Sequence, residues 1–135
     1  KYKNKRSMCL TTFTKYPSKA TKDIVCYKYL IKKKGIKGLM SPFTGFRWEV
    51  RKEYTADRSA PRYVSCNIKD GYFHSYEYKD SAEFEAEIFT NTRCSVAEYH
   101  IVKCIIPKGS RYYKGIHTGG ADGYASKKIK IVEVL

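Results

Sequence analysis

The 135-residue sequence predicts an α+β fold: a mainly antiparallel β-sheet carrying one main helix, in a single compact domain. Three observations predict it. Short runs rich in β-branched and aromatic residues, each of strand length, recur between glycine, proline and aspartate turn signals. A single segment has small and apolar residues at helical spacing behind a capping residue. Hydrophobic residues form 42% of the chain, which also holds thirteen tyrosines. That composition suits half-buried strands rather than disorder, because the tyrosine ring packs while its hydroxyl stays wet. The length allows one domain with a real core and is too short for two ordinary ones.

The elements follow in order. Residues 1–22 mix Lys, Thr and Ser with few apolar anchors and are interrupted by Pro17, so they read as a basic, partly ordered N-terminal arm; residues 23–135 form the α+β domain. Ile24 to Ile31 (IVCYKYLI) is the first long strand, ended by the basic turn KKKGIKG. Phe46 to Val50 alternates Phe46, Trp48 and Val50 against Arg47 and Glu49, the period of a half-buried strand, and is expected to return as its hairpin partner. Arg62 to Ile68 and Tyr72 to Tyr76 flank Lys69-Asp70-Gly71, which predicts a second hairpin. Asp80 is placed to cap the helix, with Glu83 in capping-box relation and Ala82, Ala86 and Phe89 on one face; Glu83, Glu85 and Glu87 read as a solvated face. Tyr99 to Ile106 is the most apolar run and a central strand, stopped by Pro107-Lys108-Gly109. The segment SRYYKGIHTGGADGYAS reads as a long glycine-rich connection, and Lys128 to Leu135 as the last strand.

Charge is the strongest functional signal. Lys1 to Gly38 holds twelve Lys or Arg against one acid, Asp23, and so supplies +11 of the formal net charge of +14. Such a one-sided block attracts polyanions. The candidate polyanion-binding residues are Lys1, Lys3, Lys5, Arg6, Lys15, Lys19, Lys22, Lys32, Lys33, Lys34 and Lys37. Lysine outnumbers arginine here, which suits sequence-independent phosphate contact rather than base reading. Tyr2, Tyr16, Tyr27 and Tyr29 are interleaved as candidates to stack on unpaired bases.

Other chemistry is weakly signalled. The five cysteines, Cys9, Cys26, Cys66, Cys94 and Cys104, are odd in number, and none forms a C-x-x-C pair. Neither a disulfide framework nor a zinc site is indicated, and a reducing compartment is expected. His74, His100 and His117 are far apart without metal-ligand spacing. Gly119, Gly120 and Gly123 could form an anion nest but lack phosphate-loop spacing. No catalytic residue, metal or cofactor is assigned. No stretch is long and apolar enough to span a membrane, so a cytoplasmic location is expected.

Three segments resemble known sequences: CYKYL at Cys26–Leu30, GYFHSYEYKDSAEFEAE at Gly71–Glu87, and VKCIIPKGSRYYKG at Val102–Gly115. From Cys26 onward the chain is similar to a group of small proteins encoded by gut Bacteroidetes and their phages. That group in turn looks like ADP-ribosyltransferase-like folds. The resemblance implies host cytoplasm or a virion as the setting. An NAD-dependent transferase would call for Ser75 or Tyr76 on a middle strand and Glu98 near a later one, while the first strand offers Cys26, Tyr27 and Lys28 where an Arg or His is needed. The leading expectation is a non-enzymatic basic accessory protein docking on nucleic acid or an acidic protein surface. The alternatives are an ADP-ribosyltransferase-like enzyme and a structural virion subunit.

Overall fold

The computed structural model describes residues 9–42, 45–57, 60, 62–64, 67–92 and 96–135. Strands β1 (Leu10–Thr12), β2 (Ser18–Lys19), β3 (Ile24–Lys33), β4 (Leu39–Met40), β5 (Arg47–Trp48), β6 (Glu53–Thr55), β7 (Arg62–Val64), β8 (Asn67–Asp70) and β9 (Phe73–Tyr76) precede the helix α1 (Lys79–Asn91). Strands β10 (Val96–Ile106), β11 (Arg111–His117), β12 (Asp122–Ser126) and β13 (Lys128–Val134) follow it. All join one sheet, ordered β6-β13-β10-β3-β9-β12-β11-β1-β8-β7, with β2 on β11 and the β4–β5 hairpin on β3. Every pairing among the described residues is antiparallel. The α+β class and the antiparallel sheet with one helix are those the sequence predicts.

Strand periodicity splits the core between the two faces. On one, Cys26 and Leu30 of β3 meet Val102 and Cys104 of β10, Ile129 and Ile131 of β13, Tyr124 and Trp48. On the other, Tyr29 and Ile31 meet Tyr76, Ile101 and the helix residues Ala82, Ala86 and Phe89. The two alanines let α1 lie close to the sheet, and Phe89 rests its ring 6.0 Å from that of Tyr29.

Four local expectations are corrected. Beside β3 stands β4, not Phe46–Val50: Ile31 faces Met40, and β5 pairs outside β4. Gly35 and Gly38, at φ 77° and 93°, turn the basic tip sharply enough to bring Leu39 straight back. Of Phe46, Trp48 and Val50 only Trp48 is buried. The second hairpin closes earlier than expected, between β7 and β8, with Val64 opposite Asn67. Gly71, at φ 98°, then turns the chain away, so β9 pairs with β12 and β3.

The helix begins two residues earlier than expected. Tyr78 is its N-cap and makes no side-chain cap bond, while Asp80 lies inside the first turn. Asp80 therefore acts through its charge near the helix's positive end rather than as a cap. The fourth correction concerns the glycine-rich connection, which is the β11–β12 hairpin. Gly115 faces Gly123 across it. A side chain at Gly115 would collide with the β1 backbone, and one at Gly123 with the His117 ring and the Ser75 carbonyl. Here glycine marks close approach of strands rather than looseness.

Candidate polyanion-docking surface

The basic block is linear in sequence and divided in space. Lys32, Lys34 and Lys37 are exposed and Lys33 half-buried at the β3–β4 tip. Lys15, Lys19 and Lys22 are also exposed, but they lie before the other end of β3. Eight residues of extended strand, Ile24 to Ile31, separate the two groups, about 26 Å at roughly 3.3 Å per residue. Lys1, Lys3, Lys5, Arg6 and Tyr2 lie outside the described residues.

Each half acquires a different setting. The tip is a short turn held by the Ile36 amide donating to the Lys33 carbonyl at 3.1 Å. At the opposite rim, β2 pairs with β11, placing Lys19 opposite Arg111. Ala20 donates to Ser110 O at 2.9 Å, and Gly109 donates to Ala20 O at 2.8 Å, so the Pro107–Ser110 turn is tied beside the same segment. Exposed Lys108 and Arg111 thus join Lys19 and Lys22. The nearby acid, Asp23, accepts the Lys108 backbone amide at 2.9 Å. Lys108 and Arg111 come from 85 or more residues further along the chain, where local charge counting sees an ordinary segment.

The interleaved tyrosines separate just as clearly. Tyr29 is buried and Tyr27 half-buried under the helix, whereas Tyr16 is 71% exposed. Lys28, inside the basic stretch, is not among the exposed lysines. Its amine donates to His74 O at 2.5 Å and lies 5.4 Å from the centre of the Trp48 ring. Burial lowers its pKa, opposed by the neighbouring Cys104 and Cys26.

Comparison with protein-family models, curated proteins and solved structures finds no match to this chain.

Among the described residues the interior holds further chemistry, and Cys66 and Cys94 lie outside them. Cys26 and Cys104 face each other across β3 and β10, both buried. Their mutual hydrogen bond lowers the pKa of Cys26 and raises that of Cys104. His117 Nε2 lies 2.7 Å from Ser75 O, which makes it the protonated nitrogen of a neutral ring. Burial, with Lys28 adding to it, pushes His117 down to about 4, against the pull of that carbonyl. Among the described residues no group of three or more His, Cys, Asp or Glu side chains is placed to hold a metal ion.

The transferase residues are not brought together. Tyr76 stands opposite Tyr27, which faces Lys103 on β10. Glu98 faces Lys32 on that strand, five residues or about 17 Å away. It is exposed and contacts His100. The glycine turn already has an anion beside it: the half-buried Glu85 carboxylate lies against Gly119, and burial raises its pKa. The expected solvated face of the helix is therefore only partly solvated, with Glu87 exposed and Glu83 half-buried.

Proposed function

We propose that this protein is a non-enzymatic accessory module that docks on polyanions, nucleic acid or the acidic face of a partner in an assembly. The observation that carries the reading is the rim at β2 and β11. There Lys19 and Lys22, together with Lys108 and Arg111 from much later in the chain, form one exposed basic cluster. The β3–β4 tip supplies a second, separate group. Phosphate contacts of this kind release counterions, so affinity falls as salt rises, with a log–log slope of about 0.9 per duplex phosphate engaged.

The test is fluorescence anisotropy of a labelled DNA duplex titrated with protein at several potassium chloride concentrations. Changing Lys19, Lys22, Lys108 and Arg111 together to Gln is expected to flatten the slope by about 2 to 4. The same change at Lys32, Lys33, Lys34 and Lys37 measures the tip independently. Wild-type binding that ignores salt, or that survives both sets of substitutions, would overturn the reading.

A further inference from the structure

The segment joining β1 to β2 is an interruption in what is otherwise one strand laid along β11. Thr12 stands opposite Gly115, and Ser18 opposite Tyr112. Between those two points β11 supplies Tyr113 and Lys114, while the partner segment supplies Phe13, Thr14, Lys15, Tyr16 and Pro17. The surplus is pushed outward as a loop, as in an enlarged β-bulge. Hydrogen bonds hold it: the Phe13 amide donates to Lys114 O at 3.0 Å, and Thr14 Oγ1 donates to Tyr16 O at 2.8 Å.

That loop places aromatic rings in water. Phe13 is 59% exposed, and Tyr16 is the most exposed large apolar or aromatic side chain among the described residues. A single exposed ring needs no explanation. Two rings on a pinned loop, with cations around them, form a specific arrangement. Lys15 lies 5.8 Å from the centre of the Tyr16 ring. Lys19 and Arg111 stand opposite each other in the register directly beyond the loop, and Lys114, whose carbonyl accepts the Phe13 amide, holds its ammonium 3.3 Å from Glu77.

We infer that the Phe13–Pro17 loop binds single-stranded nucleic acid by stacking unpaired bases on Phe13 and Tyr16 while the neighbouring cations take the phosphates. The inference rests on the docking reading above and adds the class of ligand. A duplex keeps its base faces inside the stack, so it offers phosphates but no face for either ring. An unpaired strand offers both.

The experiment compares three probes on the full chain by anisotropy or competition: labelled oligo-dT, a mixed-sequence duplex of the same length, and inorganic polyphosphate. Wild type is expected to prefer oligo-dT over the duplex. The double variant Phe13→Leu with Tyr16→Leu keeps apolar bulk but removes both rings, and should lose roughly tenfold or more in oligo-dT affinity. Its polyphosphate affinity should stay unchanged, which also reports that the basic rim is intact. The double variant Phe13→Tyr with Tyr16→Phe should bind oligo-dT like wild type. Equal affinity of wild type for oligo-dT and duplex, or undiminished oligo-dT binding by the Leu variant, would overturn the inference while leaving polyanion docking standing. Failure of wild type to bind any of the three probes would remove nucleic acid from the docking reading, and the inference with it.

Discussion

His117 shows how much a single residue's surroundings decide. Its ring is buried against the Ser75 carbonyl, and its pKa is lowered to about 4 from an ordinary value of 6.5. The unfolded chain therefore takes up a proton at this residue before the folded chain does. Stability is unaffected above pH 6.5 and declines as pH falls from 6.5 towards 4. At full extent the loss is about 3 kcal/mol, taking roughly 1.4 kcal/mol per pKa unit. Urea unfolding at pH 7.5 and at 4.5 should show this drop in wild type and a clearly smaller one in His117→Gln. An equal drop in both would show that other groups carry the acid sensitivity. Nothing local in Ile116-His117-Thr118 announces this burial, since the ring's environment comes from β9 and β1.

Two elements lend themselves to direct tests. The helix starts at Tyr78, which has extended backbone angles (φ −118°, ψ 143°) suited to a cap but no oxygen that reaches the first turn. Its side chain is 55% exposed, so little packing is at stake. Tyr78→Asp is expected to raise stability by about 1 kcal/mol, the usual gain from a good N-cap. An unchanged or lowered thermal midpoint would count against the assigned boundary. In the β1–β11 pair the contact is backbone on backbone at Gly115. Gly115→Ala should cost about 1–3 kcal/mol, because neither strand has a flexible side-chain end to move aside. The sequence showed the long strands β3, β10 and β13 and the helix plainly, since each carries enough periodic residues to outweigh its neighbours. It hid the β11–β12 hairpin because Gly115 and Gly123 are there for proximity, and glycine in a sequence reads first as a turn.

At the scale of the whole molecule, charge in sequence and charge in space part company. The stretch from Lys1 to Gly38 was legible as basic, yet β3 carries Lys32, Lys33 and Lys34 about 26 Å from Lys19 and Lys22. Lys108 and Arg111 join the near rim through pairings that no local pattern encodes. The stacking loop was half legible: Tyr16 stood out by type, but Phe13 became a partner only once β1 and β2 were seen to share β11. That shared strand also governs when the surface exists. The Thr118 hydroxyl reaches the Cys9 carbonyl across 109 residues of chain, and Leu10 pairs with His117 at similar separation. Contacts this distant close late, after the entropy of a long loop has been overcome. On the ribosome, the segment bearing Phe13 and Tyr16 has nothing to lie against until residues 111–117 have emerged. A nascent chain that still lacks those residues already carries the charge of Lys1 to Gly38, whereas the shaped loop belongs only to the finished fold.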